Sequence, residues 1–159
     1  MERRDFLTRS SGATAVALAA VAVLPQAHAQ TAAVNAPGWN KAAFDSKSLA
    51  DAAKAMGATS APVESKDLML TAPEIAENGS VVRVGAQSNI ANTSQISFVV
   101  EKNPSALAAM FDIPAGTDAN VATNIKMGQS SNVYALAKAG DKYYYAVKEV
   151  KVTLGGCGG

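Results

Sequence analysis

Cys157 is the residue best suited to covalent chemistry. It is the only cysteine of the 159 residues and lies in the run Gly155-Gly156-Cys157-Gly158-Gly159. Glycines supply backbone without side chains, so this segment is predicted to be a thin, flexible arm that folding does not require. The thiol is a soft nucleophile that can hold a covalent sulfur adduct. An unperturbed thiol has a pKa of about 8.5 and is mostly protonated at neutral pH. The pattern therefore favours a carried substrate at Cys157 over a catalyst.

The rest of the sequence lacks the groups that common enzymes use. The only histidine, His28, falls in a predicted export signal, and no Cys-x-x-Cys pair is present. This excludes Ser-His-Asp or Cys-His catalysis, a His-ligated haem and a zinc site built from Cys and His. The Asp and Glu residues show no spacing typical of a metal site or an acid–base pair. The sequence thus predicts no catalytic residue, no cofactor and no metal, and a protein that is not an enzyme.

The first residues have the features of a signal peptide. Arg3 and Arg4 precede an apolar run from Ala13 to Leu24, and Ala27-His28-Ala29 has the small-x-small pattern that signal peptidase cleaves. The apolar run is too short to form a permanent membrane span. We predict a cleaved twin-arginine (Tat) signal at residues 1–29 and a periplasmic location. The alternative is an ordinary Sec signal with two chance arginines.

The charge balance of the mature chain narrows the choice of partners. Removal of residues 1–29 takes away three basic and two acidic residues and leaves equal numbers of each. A net charge near zero without a basic run argues against nucleic acid and against an anionic membrane surface as partners.

Residues 30–63 are predicted to form an N-terminal helix and a linker. Asp45 is the predicted N-terminal cap of a helix that begins near Ser46, and Gly57 is its predicted stop. Its small, alanine-rich face is expected to pack on its own domain or on a partner subunit. The apolar residues at helical spacing are Phe44, Leu49, Ala52, Ala53 and Met56.

In residues 64–154 apolar and polar residues alternate with a period of two, which is typical of strands. Short runs separated by turn sequences such as Asn78-Gly79 and Ala139-Gly140-Asp141 predict a mainly β, immunoglobulin-like antiparallel sandwich. In the last strand Lys148 falls on the otherwise apolar face, which leaves the register of that strand open. The predicted strands are Lys66–Thr71, Ser80–Ala86, Gln95–Glu101, Ala106–Asp112, Asn120–Met127, Ser131–Ala137 and Lys142–Leu154.

The residues alone leave three functions open for Cys157. The first is a non-enzymatic covalent carrier, and the second is an exported interaction module that is crosslinked through its single cysteine. The third is a thiol–disulfide enzyme, although the chain has no resolving cysteine and no activating neighbour. A terminal Gly-Gly could also be activated as a thiocarboxylate, but that chemistry needs cytosolic ATP and conflicts with export.

Several segments resemble the SoxY family, the sulfur-carrier subunits of the bacterial thiosulfate-oxidising Sox system. The resemblance spans nearly the whole mature chain and is most specific at its C-terminal part. A second proline often follows the Asn-Pro of the family pattern, where this chain has Ala106. The segments that carry the resemblance are Pro73–Gly79, Val100–Pro104, Lys126-Met127 and Val150–Gly159.

The resemblance implies specific partners and chemistry. It implies a heterodimer with the small subunit SoxZ, and a cysteine at position 157 that carries the pathway intermediates. It also implies transient docking to a SoxA–SoxX cytochrome, a SoxB hydrolase and a SoxC–SoxD sulfur dehydrogenase. Residues 73–79 and 101–104 are expected to be turn and interface structure rather than chemistry. Tat export fits this scheme, because it would carry a preassembled heterodimer.

Overall fold

The computed structural model describes residues 39–153 of the chain. The predicted signal peptide 1–29, the residue Cys157 and the glycines at 155, 156, 158 and 159 lie outside the described residues. Predictions about them stay predictions, as do the domain boundaries at residues 30–63 and 64–154. None of the helices between residues 39 and 153 combines the length and the apolar character that crossing a membrane requires.

The described residues form two short helices followed by nine strands. Each of the seven predicted strands is present, with ends that differ by a few residues from the prediction. The two additional strands contain two residues each. The elements are α1 (Lys41–Phe44), α2 (Leu49–Ala55), β1 (Val63–Glu64), β2 (Leu68–Thr71), β3 (Ile75–Ala76), β4 (Val82–Ser88), β5 (Thr93–Val100), β6 (Leu107–Asp112), β7 (Asn120–Ile125), β8 (Ser131–Ala139) and β9 (Lys142–Val152).

The strands assemble into two sheets. The larger sheet has the order β1-β9-β8-β5-β6, with β3 also paired to β9, and the smaller sheet has the order β2-β4-β7. All pairings are antiparallel except those of β1 and β3, which run parallel to β9. The short strands β1 and β3 therefore pair with the edge of β9 that faces away from β8.

A single core lies between the two sheets. Alternation along β4 buries Val82, Val84 and Ala86 and exposes Arg83 and Gln87, as expected for a strand with one solvated face. These residues pack against apolar side chains of the larger sheet, including Ile96, Phe98, Val133 and Val150, each 0% exposed. The mainly β, immunoglobulin-like sandwich that the sequence predicts is confirmed.

The helices cover part of the outer face of the larger sheet. Ala52 contacts Val99 and Leu107, and Ala53 packs with Leu136 and Tyr143. Side chains as small as alanine let the helix lie close to the sheet, which explains why the predicted helical face is alanine-rich. The sequence left open whether this helix packs on its own domain or on a partner subunit. In the structure it packs on its own domain.

The predicted start of the helix is wrong. Asp45 ends α1 instead of capping α2, and the N-terminal cap of α2 is Ser48, whose hydroxyl accepts a hydrogen bond from Asp51 N at 3.1 Å. The cause is a long-range contact, because the amide of Ala106 donates to Ser46 O at 2.9 Å and the chain turns between the two helices. The predicted stop is confirmed, since Gly57 follows the helix with φ +96°.

The register of β9 agrees with the alternation read from the sequence. Val147, Glu149 and Lys151 are exposed on the outer face, whereas Val150 is buried in the core. Lys148 does lie on the core side, where it is half-buried and its Nζ donates to Ala72 O at 2.8 Å. Its apolar stem can run along the core while the ammonium reaches a carbonyl at the rim, so one lysine is compatible with this face.

Candidate functional site

The structure locates the place from which the predicted Gly-Cys segment departs. Thr153 follows β9, is exposed, and is the last residue that the structure describes. Cys157 is the fourth residue after it, so covalent geometry limits the distance between their Cα atoms to about 14 Å. Covalent geometry therefore confines the Cα atom of Cys157 to this distance from Thr153, at one end of the sandwich. We call residues Lys151–Thr153 the root.

Backbone hydrogen bonds hold the root on one side. The amide of Lys151 donates to Glu74 O at 2.9 Å, and the amide of Thr153 donates to Ala76 O at 3.0 Å. These bonds belong to the parallel pairing between β3 and β9, in which Ile75 is opposite Lys151. Strand β3 is too short to contribute much to the core, but it pairs with the last residues before the Gly-Cys segment.

Ser130 holds the root on the other side. Its Oγ accepts a hydrogen bond from the amide of Val152 at 2.9 Å and lies 3.4 Å from Val152 O, to which it can donate. Strand β8 begins one residue later, at Ser131, so the hydroxyl continues the ladder where the strand pairing with β9 ends. No local pattern indicates this role of Ser130, because Ser130 and Val152 are far apart along the chain.

Gly79 packs directly against the root from the third side. A Cβ atom on this glycine would lie 2.4 Å from Met127 O and 2.9 Å from Val152 Cγ1. The amide of Met127 in turn donates to Gly79 O at 2.7 Å. Residue 79 must therefore be glycine for the chain to approach this closely, and the reason is space rather than backbone angle.

A second loop is joined to the same region. Asn103 Nδ2 donates to Lys126 O at 2.7 Å, and its Oδ1 accepts from Gly128 N at 3.1 Å. The amide of Lys102 donates to the hydroxyl of Ser131 at 3.0 Å. The segments at 73–79, 101–104 and 126–127 are distant in sequence, yet they meet around the root. Their observed contribution is backbone positioning, and their predicted role as interface stays a prediction.

The side chains around the root carry both signs of charge and two large apolar groups. Glu74, Glu77 and Lys151 are exposed there. Ile75 and Val81 are each 58% exposed. The surface around the root therefore carries both acidic and basic side chains next to exposed apolar ones.

The described residues that show shifted pKa values lie on the helix-covered face rather than at the root. Burial raises the pKa of Tyr143, whose hydroxyl donates to Met56 O at 2.6 Å. Burial, and after it the negative charge of Glu101, raises the pKa of Tyr134. A raised pKa keeps the phenol protonated, so the Tyr143 hydroxyl serves as a structural hydrogen-bond donor to Met56 O.

Fold and site together define a class: a β-sandwich protein whose single thiol follows its last strand within a few residues of a tightly held root. The family profile described as "Sulfur oxidation protein SoxY" matches residues 52–157. The chain therefore belongs to the SoxY family of sulfur oxidation proteins. The matched range includes both the root and Cys157.

One solved structure agrees with this membership. The chain is 37% identical to the sulfur carrier protein SoxY from Chlorobium limicola f thiosulfatophilum, with a TM-score of 0.57. That similarity covers 65% of this chain and 96% of the other. A lytic polysaccharide monooxygenase from Jonesia denitrificans is 17% identical, over 46% of this chain and 54% of the other, and its TM-score of 0.36 supports no conclusion. A comparison with curated protein sequences gives no match.

Proposed function

We propose that this protein is a covalent sulfur carrier that holds intermediates of thiosulfate oxidation on the thiol of Cys157. The single observation that carries the proposal is that the family match extends through the root to Cys157 itself. The solved relative is described as a sulfur carrier protein, and it shares both the sandwich and 37% of the aligned residues. In this proposal the chain is the substrate-bearing partner of several enzymes and is not an enzyme.

The proposed chemistry begins with oxidative attachment. The Cys157 sulfur forms a bond to the terminal sulfur of thiosulfate, and a SoxA–SoxX cytochrome accepts the two electrons that are lost. The product is a cysteine S-thiosulfonate. A SoxB hydrolase adds water to the sulfonate sulfur, so sulfate leaves and a persulfide remains on Cys157.

A second round returns the carrier to its starting state. A SoxC–SoxD sulfur dehydrogenase removes six electrons from the outer persulfide sulfur, and water supplies three oxygens. The SoxB hydrolase then adds another water and releases sulfate, which leaves the free thiol. Every intermediate is attached to one sulfur atom, so no reaction in the cycle needs a second cysteine on this chain.

The chain's own contribution in this proposal is presentation. The bonds that the root donates to Glu74 O, Ala76 O and Ser130 Oγ fix its position. The four Cα–Cα steps from Thr153 to Cys157 set the distance of about 14 Å over which the cysteine can reach. The glycines at 155, 156, 158 and 159 present no side chain that could clash with a narrow enzyme cleft. An enzyme can then receive the thiol without unfolding any part of the sandwich.

The proposal includes a partner and a location. We propose a heterodimer with SoxZ that the Tat signal at residues 1–29 exports to the periplasm as one folded unit. Replacement of Arg3 and Arg4 by lysine should leave both subunits in the cytoplasm, as fractionation and immunoblotting would show. If SoxZ still reaches the periplasm alone, the proposed joint export is wrong.

Cys157→Ser tests the proposed function most simply. Its fold and its binding to the second subunit should match the wild type, because the core of the described sandwich is built from residues that precede position 153. In a reconstituted pathway with thiosulfate, the variant should support no turnover. Turnover that persists would exclude Cys157 as the carrier site. Isolation of the wild type only as free thiol or as disulfide-linked dimers would favour the crosslinked interaction module.

A further inference from the structure

Two exposed apolar side chains beside the root have no partner in the described structure. The described residues contain six large hydrophobic side chains that are well exposed: Trp39, Val63, Met69, Ile75, Val81 and Val147. Two of these six, Ile75 and Val81, flank the root. Exposed apolar side chains that are grouped at one place on a surface mark protein interaction sites.

Backbone geometry places both side chains within the range that the thiol can reach. Ile75 is paired with Lys151, so their Cα atoms lie about 5 Å apart, and Thr153 is two residues further along β9. Val81 is two residues after Gly79, which packs against Val152. Both residues therefore lie within roughly 12 Å of the root, which is less than the maximum distance of about 14 Å from Thr153 to Cys157.

This arrangement has a consequence for any protein that receives the thiol. A cleft that encloses Cys157 can stand no further from Thr153 than the intervening residues allow. The rim of such a cleft then approaches the end of the sandwich, where Ile75 and Val81 are the large apolar side chains left exposed beside the root. The charges there have both signs, through Glu74, Glu77 and Lys151, so they would not attract one particular charged surface.

We propose that Ile75 and Val81 form a docking collar, a surface shared by the enzymes that act on Cys157. The proposal rests on the carrier function proposed above. Its occupant is an enzyme with an apolar rim around a narrow thiol-accepting cleft. The same collar serves each enzyme in turn, because every one of them must receive the thiol from the same root.

The test uses substitutions that make each side chain polar; Val81→Thr nearly keeps the side-chain volume, and Ile75→Thr also removes one methyl group. Ile75→Thr and Val81→Thr keep a β-branched side chain at each site, and the hydroxyl stays hydrated in the free protein. Under a docked enzyme that hydroxyl would be buried without a partner, which opposes binding. Val63→Thr is the matched control. Val63 is 61% exposed and pairs with Tyr144, about 26 Å along β9 from Val152.

The measurement is the KM and kcat of the full heterodimer as substrate for the thiosulfate-loading cytochrome and, after loading, for the hydrolase. The double variant should raise KM roughly tenfold with both enzymes and leave kcat nearly unchanged. Alkylation of Cys157 by iodoacetamide and the elution volume of the heterodimer should not change. The Val63→Thr control should stay within about twofold of the wild type in every assay.

Three results would overturn the proposal. An unchanged KM would mean that the enzymes do not contact the collar, and an equal rise with Val63→Thr would mean a general effect of surface polarity. Loss of the second subunit from the double variant would assign the collar to the subunit interface. None of these three results contradicts the carrier function. That function is contradicted by a different result, namely that the wild type itself is not loaded at Cys157.

Discussion

The two halves of β9 differ in how their outer faces are covered. In the first half, the outward side chains Tyr143 and Tyr145 lie under α2 and its neighbours, and Tyr143 is 3% exposed. In the second half, the outward residues Val147, Glu149 and Lys151 face solvent. The second half keeps its inner face in the core and pairs with β8 as far as Val150. Beyond that point its amides donate to Glu74 O, Ala76 O and the hydroxyl of Ser130. One strand thus joins a region secured by side-chain burial to a region secured by backbone hydrogen bonds.

The two halves of β9 should therefore contribute to different properties: the first half to the stability of the fold, and the second half to the position of the Gly-Cys segment. Burial on both faces contributes most where large apolar groups are removed from water, so the first half should dominate the free energy of unfolding. Backbone bonds fix position with little buried area, so the second half should determine where the Gly-Cys segment starts. Substitutions in the two regions should consequently affect different measurements.

Leu136→Ala should give the largest loss of stability. Leu136 is 1% exposed between Ala53 and Tyr143, on the covered face beside the first half of β9. Its truncation leaves a cavity and should lower the free energy of unfolding by about 2–5 kcal/mol in urea denaturation. The alkylation rate of Cys157 in the folded protein should not change. Val147→Ala on the exposed half is the control, and it should cost no more than about 0.5 kcal/mol. Equal losses in the two variants would contradict the comparison.

Gly79→Ala should disturb the root and cost less stability. The new methyl group would clash with Met127 O and Val152 Cγ1, so the chain must shift, at a cost of about 1–3 kcal/mol. Enzymatic loading of Cys157 should slow at temperatures where the variant is fully folded. Gly128→Ala is a close control, because no atom lies within 4 Å of its added Cβ. If both alanines behave alike, the close packing at residue 79 does not position the root.

Gly158→Val should affect loading and leave stability unchanged. A β-branched side chain beside Cys157 restricts the backbone and would obstruct a narrow cleft, so enzymatic loading with thiosulfate should fall by about tenfold. Gly156→Val tests the other side of the cysteine. Alkylation by a small reagent should stay nearly constant in both variants. A parallel fall in alkylation would assign the glycines to thiol reactivity, and no fall in either rate would refute the thin-arm hypothesis.

Tyr143→Phe should have the smallest effect, and it depends on pH. Loss of the hydrogen bond to Met56 O should cost about 1 kcal/mol at neutral pH. Burial raises the pKa of Tyr143, so the folded state binds the phenolic proton more tightly than the unfolded state. This contribution is fully present below pH ~10 and is lost as the pH rises through the folded-state pKa. The free energy of unfolding should thus fall less steeply above pH ~10 in the variant, and equal slopes would contradict the assignment.

Much of the fold was predictable from sequence because its strands are long enough to show alternating burial. β4 is an example, with Val82, Val84 and Ala86 inside and Arg83 and Gln87 outside. The start of α2 has a local signal that the prediction missed, the capping pattern Ser48-x-x-Asp51. The bond from the Ala106 amide to Ser46 O just before it was not predictable, because it joins residues that are distant along the chain. β1 and β3 contain two residues each and show no period.

The candidate site likewise combines a local sequence pattern with contacts between residues that are distant along the chain. The role of Cys157 stays a prediction, which rests on a local pattern, a single thiol among glycines, and on a family match that extends to this residue. The hydrogen bonds from Ser130 and Glu74 could not be predicted, because they form only after the strands are arranged. Gly79 occurs in a segment that resembles the family, but its contact with Val152 is a property of the packed structure.

The intact mass of the protein isolated from thiosulfate-grown cells tests the central claim most directly. A covalent carrier should be recovered with thiosulfonate, persulfide or sulfonate adducts that a thiol reductant removes, and fragmentation should place every adduct on Cys157. Cys157→Ser from the same cells should show the unmodified mass alone. Recovery of the wild type only as free thiol or as disulfide-linked dimers, with no sulfur adduct on Cys157, would contradict the carrier function.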